Sequence, residues 1–237
     1  MGVRSTQGLA LCLALVLGCS RELTPPPAPE TAGNAQTLAA DLAQLRGANV
    51  LFVHDAIGTQ VLEAVTRLDP GLALADVLGE ADPNTAIDGF ERAIAADGGP
   101  KDVALLELPF QGISGDTNGK ALFTHYRRAI QRLRAAHPDV ILVPVTVPLV
   151  ARDEGLRGFL RTLIGAASAR SRANTMRDDF NGRVREAFRG QPIFDLARVE
   201  SLSGNPPTLS KDGRERAARA LVAALANALR GRAPRPG

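Results

Sequence analysis

The sequence predicts a doubly wound α/β domain in which helices cover both faces of a parallel sheet, giving three layers. Short apolar runs alternate with longer segments of helical periodicity along most of the chain, which is the pattern of repeated strand and helix units. The apolar runs lack the polar alternation of half-exposed strands and are therefore typical of strands buried on both faces. With 237 residues and both ends to subtract, the chain has room for one core of ordinary size.

The first half of the chain predicts a helix followed by strand and helix signals in turn. Leucines three or four residues apart predict a helix over 35–46, which a glycine ends. The apolar run 49–53 predicts the first strand, and helical spacing returns over 58–68 until a proline stops it. Residues 72–82 are compatible with a strand and a loop, and the apolar run 102–108 predicts a further strand.

The second half continues this alternation. Helical spacing over 120–136 and the apolar run 140–147 predict another helix and another strand. A helix over 171–188 and a short strand near Ile193 follow, and the Ala- and Leu-rich segment 212–229 predicts the last helix. Because strands joined by helices of this length form right-handed crossovers, the strands are expected to lie parallel in one sheet.

The segment 150–170 has weak periodicity and is interpreted as a flap over the end of the sheet. Four of its arginines could pair with an anionic ligand: Arg152, Arg157, Arg161 and Arg170. The alternative, which the usual behaviour of charge runs favours, is a solvated helix face.

The N-terminal residues predict export and attachment to a membrane by lipid. Arg4 and the apolar run 8–18 form a leader that is too short to span a bilayer, since a helical span needs about 20 residues. The run ends in Val-Leu-Gly before Cys19, which resembles a bacterial lipobox and implies cleavage after 1–18 and acylation of Cys19. By the same resemblance, Ser20 implies delivery to the outer membrane. A plain secretory signal is the alternative.

The remaining residues divide into a tether, one domain and a tail. Residues 19–34 begin with the lipidated cysteine and are rich in Pro, Ala and Thr, which predicts a semi-rigid extended tether. The folded domain is expected over 35–230, and 231–237 are predicted to form a disordered tail.

Composition argues against several classes of function. The net charge of +3 does not imply binding to nucleic acid, although the isoelectric point is near 9.3. Cys12 and Cys19 lie outside the predicted domain, which therefore contains no cysteine for disulfides or thiolate chemistry. No spaced histidine motif predicts a metal, and no cofactor is expected. The expected partners are the membrane, through the lipid anchor, and a glycan or protein of the cell envelope.

Ligands of doubly wound sheets bind beyond the carboxyl ends of the strands. That rule places four segments around one crevice: 54–58, 109–116, 146–149 and 195–200. The candidate crevice residues are His54, Asp55, Gly58, Gln111, Asp116 and Thr146.

Two motifs lie beside this predicted crevice, at positions where catalytic residues would be expected. The first strand runs into Val-His-Asp-Ala-Ile-Gly at 53–58, and Ser-Lys-Asp-Gly-Arg-Glu at 210–215 opens the last helix. Further segments match at 121–127, 145–149 and 180–196. In order and spacing these segments resemble the SGNH (GDSL-type) hydrolases, in particular a lipoprotein-like branch whose first strand runs into His-Gln-Ser-Val-Gly. The resemblance covers most of residues 48–225 and implies the flavodoxin-like SGNH hydrolase fold and action on ester-type substrates.

The sequence departs from that family at both working positions. The family needs a Ser nucleophile after the first strand and a His base from an Asp-x-x-His before the last helix. Ala56 stands at the Ser position, and Glu215 stands at the His position unless a small deletion after Gly213 has removed the His. Asp212 then remains as the orienting acid, and Gln111 is the nearest candidate for the oxyanion-hole amide. Loss of the nucleophile or the base removes about 10⁶ in turnover.

Other groups could replace the missing machinery, although each has a simpler interpretation. Asp55 and Asp116 could act on water as a paired acid and base, whereas Asp116 alone is interpreted as a turn cap. Ser114 could be a replacement nucleophile but has no visible base beside it. Structural roles are expected for the three histidines, His54, His125 and His137.

These observations lead to a leading hypothesis, an envelope-anchored SGNH-like domain that is catalytically degenerate. In this hypothesis the domain acts as a binding module for a glycan, an acylated polymer or a partner protein. The competing hypothesis is an active esterase or deacetylase on envelope carbohydrate with a rearranged site. A third hypothesis is a structural envelope component that has no ligand in the crevice.

Overall fold

A computed structural model describes residues 35–96, 99–151, 169–204 and 207–231. The predicted leader, lipid site, tether and tail lie outside the described residues. The same is true of most of the predicted flap, and Arg170 is the one member of its four arginines that is described.

The described strands form one sheet of four parallel strands, as the sequence predicts. In chain order they are β1 (Val50–His54), β2 (Ala75–Leu78), β3 (Val103–Leu106) and β4 (Ile141–Pro144). Their order across the sheet is β2, β1, β3, β4. Phe194 adds a single parallel bridge to Val145 beyond β4, so the short strand predicted near Ile193 is reduced to one residue pair.

Helices flank the sheet on both faces. The helices of the described part are α1 (Ala35–Leu45), α2 (Ala56–Leu68), α3 (Pro83–Ala95), α4 (Gly119–Ala136), α5 (Ala169–Ala187), α6 (Leu196–Val199) and α7 (Lys211–Arg230). Helices α1 and α2 both pack against α7, while α4 packs between α3 and α5. These two groups of helices form the outer layers of a three-layer domain, and the fold class is therefore the predicted one.

The core lies on both faces of the two central strands. All residues of β1 and of β3 are buried, as expected for parallel strands covered by helices. In the register of the sheet, Val53 of β1 lies beside Val77 of β2 and Leu106 of β3. Strands β1 and β3 therefore end at nearly the same level, and the residues that follow them meet at one edge of the sheet.

Helix α3 is not among the elements predicted from the sequence, and neither is the short α6. The side chain of Asp82 accepts hydrogen bonds from the backbone N–H groups of Asn84 and Thr85, each at 3.0 Å. Pro83 follows in the first turn, and an acidic cap followed by proline is a common start signal of helices. The buried face then appears at helical spacing: Ala86, Ile87, Phe90 and Ile94. The signal for α3 is thus present in the sequence.

Among the described residues, no helix is long and apolar enough to cross a membrane.

The first turn of α2 packs tightly against the sheet because Gly58 has no side chain. Residues 55–58 are called here the head of α2. A Cβ atom at Gly58 would lie 2.4 Å from Glu107 Oε2 and 2.4 Å from the Cβ atom of His54. Both distances are far inside van der Waals contact, so a side chain at this position would push α2 away from β1 and β3.

We expect Gly58→Ala to lower the free energy of unfolding by about 1–3 kcal/mol or more, because the added methyl overpacks the head of α2. Gly182 in α5 is the matched control, since its Cβ position meets nothing within 4 Å. Gly182→Ala is expected to raise stability by about 0.5–1 kcal/mol, because alanine favours helix. Urea denaturation measures both changes, and a Gly58→Ala variant as stable as the native protein would contradict this packing.

Candidate functional site

The candidate site lies at the carboxyl ends of β1 and β3, where the winding of the sheet reverses. Strand β2 lies on one side of β1, and β3 and β4 lie on the other. The connections that leave β1 and β3 therefore run in opposite directions and open a crevice between them. Strand β1 leads into Asp55 and Ala56, and β3 leads into Glu107. The head of α2 and the segment after β3 are the two sides of this crevice.

Ala56 presents a methyl group where the resembling family has its nucleophile. The residue is exposed at the start of α2. A methyl group has no lone pair, so it can neither attack an acyl carbon nor carry an acyl group. The preceding residue, Asp55, is half-buried, and its carboxylate makes no capping hydrogen bond to α2. Position 56 is thus open to a ligand but chemically inert.

The first turn of α2 receives its cap from Glu107 of the neighbouring strand. Glu107 Oε2 accepts a hydrogen bond from the backbone N–H of Asp55 at 3.2 Å and another from the backbone of Gly58. These N–H groups have no partner within the helix, and the side chain of Asp55 leaves them unsatisfied. The Glu107 side chain is 1% exposed, and its Oε1 atom has no hydrogen-bond partner among the described residues.

The surroundings of Glu107 favour its neutral form. Burial raises the pKa of Glu107 to about 8, and the nearby charge of Asp55 acts in the same direction. The hydrogen bonds from the backbone of Asp55 and Gly58 lower this pKa and only partly offset the burial. At neutral pH the site therefore holds a largely protonated acid behind Asp55.

His54 is a structural residue rather than a base for position 56. Its ring is 3% exposed and lies 5.2 Å from the ring of Phe52, centroid to centroid. Nδ1 donates to the backbone oxygen of Asp55 at 3.0 Å, because a carbonyl oxygen can only accept. Nε2 lies 3.2 Å from the carboxylate of Asp76 on β2. Both ring nitrogens are thus engaged, and the ring has almost no exposed surface with which to line the crevice.

The other two histidines lie away from the head of α2. His125 fastens α4 to α3, with Nδ1 at 3.1 Å from Asn84 Oδ1 and Nε2 at 3.0 Å from Asp88 Oδ1. His137 follows the last turn of α4 and precedes β4, at the opposite edge of the sheet. The chain has only three histidines, so no imidazole is placed to accept a proton from residue 56.

The segment before α7 does lie beside the head of α2. The side chain of Gln60 joins the two, since Gln60 Oε1 accepts from the backbone N–H of Leu209 at 3.2 Å. Gln60 Nε2 donates to the backbone oxygen of Ala56 at 3.4 Å. The structure therefore brings together the two regions in which the resembling family keeps its nucleophile and its base.

The residues at the predicted positions of the orienting acid and the base nevertheless face solvent. Asp212 and Glu215 both lie within α7, and both are exposed. Glu215 pairs with Arg219 one turn further along, at 2.7 Å. The hydrogen bond from Arg219 lowers the pKa of Glu215, which makes this carboxylate a poor proton acceptor.

Thr146 contributes to the frame of the site rather than to its surface. The residue is completely buried, and its hydroxyl donates to Asp195 Oδ1 at 2.9 Å and accepts from the backbone N–H of Ala197 at 3.0 Å. Asp195 is in turn held by two hydrogen bonds of 2.8 Å from Arg185. Thr146 ties the end of β4 to α6 and has no exposed surface with which to contact a ligand.

The segment after β3 carries the remaining candidates. Gln111 is exposed in a 3₁₀ turn, Phe110–Gly112, and Asp116 is exposed a few residues later. The backbone N–H of Asp116 donates to Ser114 Oγ at 3.2 Å. Ser114 therefore caps this turn, and the prediction that Asp116 caps it is wrong. In the described part of the chain, no contact joins Asp116 to Asp55, whose acidic neighbour is Glu107.

Glu107 is the site residue that sequence reasoning missed. The signal that could have identified it is a charged residue inside the apolar run 102–108, because a carboxyl in a strand buried on both faces needs a specific reason. The described residues contain no group of three or more His, Cys, Asp or Glu side chains that could hold a metal ion.

Comparison with known proteins supports the fold assignment. No protein-family model matches the chain, and no curated protein matches it. A solved Streptococcus pneumoniae protein, provisionally named as a platelet activating factor, matches at 14% identity with a TM-score of 0.51, covering 78% of this chain and 93% of that one. This likeness shows the fold alone, an α/β domain with a parallel sheet between layers of helices.

A second solved structure is the C-terminal catalytic domain of Streptococcus pneumoniae peptidoglycan O-acetyltransferase A with a methylsulfonyl adduct. It matches at 12% identity with a TM-score of 0.46, covering 77% of this chain and 93% of that one.

The raised pKa of Glu107 predicts a loss of stability with rising pH. In the unfolded chain this carboxyl titrates near 4.5, and in the folded protein near 8. Between these values the folded state binds the extra proton, so the stabilisation is complete below about pH 4.5 and is lost as the pH rises through 8. We expect Glu107→Gln to remove this component, which is on the order of a few kcal/mol. Urea denaturation from pH 5 to pH 9 measures the difference.

Glu215→Gln is the control, because Glu215 is exposed and its pKa is lowered rather than raised. This variant should keep the decline in stability between pH 5 and pH 9. A decline that is equally steep in Glu107→Gln and in the native protein would mean that Glu107 is ionised in the folded state.

Proposed function

We propose that this protein is an envelope-anchored lipoprotein whose SGNH-like domain has lost hydrolase catalysis and serves as a binding module. The proposed ligand is a glycan, an acylated polymer or a partner protein of the cell envelope. The observation that carries this proposal is the exposed methyl group of Ala56 at the head of α2, at the site where hydrolysis would need a nucleophile.

The positions of the possible bases support the same conclusion. A serine hydroxyl attacks an ester only when a neighbouring base accepts its proton. Here His54 has both ring nitrogens engaged, and Glu215 is committed to Arg219 on the exposed side of α7. Among the described residues neither a nucleophile nor a base stands at residue 56, so the expected loss in turnover is about 10⁶.

Buried polar contacts that fix the two sides of the crevice favour a binding role over a purely structural one. Glu107 holds the head of α2, and Asn181 holds the chain after β4. Asn181 accepts from the backbone N–H of Val147 at 2.7 Å and donates to its carbonyl at 2.8 Å. Such contacts keep a concave surface in one shape, which lowers the entropic cost of binding a ligand there.

The second candidate function is an esterase or deacetylase on envelope carbohydrate that uses a rearranged site. The observation in its favour is the pair formed by Asp55 and Glu107, in which a buried acid of raised pKa lies behind a half-buried carboxylate. Glu107 has almost no exposed surface, so Asp55 is the member of the pair that could activate water.

We expect Ala56→Ser to remain inactive, because no base is placed to accept the proton of the new hydroxyl. Hydrolysis of 4-nitrophenyl acetate and of acetylated sugars by the purified native and variant proteins measures this. Turnover by the native protein that disappears in Asp55→Ala or Asp212→Ala would overturn the proposal in favour of the second candidate. Covalent labelling of a crevice residue by a fluorophosphonate probe would overturn it as well.

The proposed lipid anchor has its own test. Cells expressing the protein with labelled palmitate are expected to incorporate the label into the native chain and to lose it in Cys19→Ala. Cys12→Ala is the matched control and should be labelled normally, because Cys12 lies inside the predicted leader. Labelling of Cys19→Ala would rule out acylation at that residue.

A further inference from the structure

A groove of about 390 Å³ opens at the carboxyl edge of the sheet, between the segment after β3 and the first half of α5. It is called here the arginine groove. Its polar lining consists of Gln111, Ser114, Asp116, Arg170, Arg172 and Arg177. Two of these, Gln111 and Asp116, are among the crevice residues that the sequence predicts, so the groove belongs to the same edge of the domain as the head of α2.

Arg177 is held rigidly in the wall of the groove. Its side chain is 5% exposed, and the guanidinium lies over the ring of Phe110 at 5.3 Å from the ring centre. Nε donates to the carbonyl of Phe110 at 3.0 Å, and Nη1 donates to Asn174 Oδ1 at 3.0 Å. Asn174 is itself anchored to both backbone groups of Val150. The guanidinium is therefore fixed in place before any ligand arrives.

The hydrogen-bonding capacity of Arg177 is only partly used. A guanidinium has five N–H donors, and the contacts to Phe110 and Asn174 use two of them. The remaining donors, on Nη1 and Nη2, find no acceptor among the described residues. No carboxylate in the described part of the chain forms an ion pair with Arg177, and the nearby Asp179 pairs with Arg183 at 2.9 Å. Burial lowers the pKa of Arg177, and no acid among the described residues counteracts this effect.

Arg177 is the arginine of the groove that matters here, because Arg170 and Arg172 make other contacts. An arginine stays protonated at any accessible pH, and a buried charge without a partner is costly. No carboxylate of the described residues supplies that partner to Arg177.

We propose that the arginine groove binds an oxyanion, either a carboxylate or a phosphate group, on the free Nη1 and Nη2 donors of Arg177. The planar fork of a guanidinium matches both groups and forms charge-assisted hydrogen bonds with them. This inference rests on the proposed function, because it names the chemical class of the ligand that the crevice binds. A neutral sugar offers no charge to this groove, whereas an acidic glycan or a phosphate-bearing polymer does.

The test measures the melting temperature of the full chain during titration with sodium glucuronate, with inorganic phosphate and with glucose, all at constant ionic strength. A ligand that binds the native state raises the melting temperature in a saturable manner. We expect saturation with at least one of the two anions and none with glucose. The preferred anion then identifies the carboxylate or the phosphate as the recognised group.

Three variants locate the effect. Arg177→Gln is expected to weaken anion binding about tenfold or more, since it removes a charge-assisted donor pair. Gln111→Glu changes an exposed residue and places a competing carboxylate in the groove, so it should weaken binding even if Arg177→Gln fails to fold. Arg183→Gln is the control, because this partly exposed arginine of α5 does not line the groove. It should bind as the native protein does.

The inference is overturned if neither anion gives a saturable shift, or if Gln111→Glu binds as tightly as the native protein. Its failure is distinguishable from failure of the proposed function. Fluorophosphonate labelling together with Arg177-dependent anion binding would leave an enzyme with an anion subsite. Absence of labelling together with absence of anion binding would leave a binding module for an uncharged ligand.

Discussion

The first turn of α2 rests on a buried carboxyl group, and this contact determines the form of the candidate site. Glu107 reaches from β3 to the unpaired N–H groups at the head of α2, and Gly58 leaves the space that the contact needs. The contact is possible because β1 and β3 lie side by side and end in register. It fixes the direction in which residue 56 points, whatever side chain stands there.

Glu107 and Arg177 are both buried at this edge of the sheet, but they differ in whether they can become neutral. Glu107 can bind a proton and become neutral, so its burial is compatible with a structural role and needs no counter-ion. Arg177 cannot lose its proton at accessible pH, and its contacts to Phe110 and Asn174 supply dipoles but no negative charge. The same desolvation therefore makes Glu107 part of the frame and leaves Arg177 without a counter-ion among the described residues.

Two of the three histidines of this chain link neighbouring elements. His54 joins β1 to β2 through Asp76, and His125 joins α4 to α3 through Asn84 and Asp88. An imidazole acting as a general base needs one nitrogen free to face the nucleophile, and neither of these offers one. Residue 56 has no nucleophilic atom, and the imidazoles of His54 and His125 are engaged with other residues, so the proposed function is recognition rather than hydrolysis.

The sequence by itself determined the alternation of strands and helices, the cap that starts α3 and the absence of a hydroxyl at position 56, because each is a property of neighbouring residues. It also carries the predicted leader and lipid site at Cys19, which lie outside the described residues. Only the tertiary structure decided that Glu107 meets the head of α2, that Glu215 turns toward Arg219, and that Arg177 lies over Phe110 with no acidic partner among the described residues. These facts depend on which elements become neighbours and which face of a helix is covered, and local patterns do not specify contacts between residues far apart in the chain.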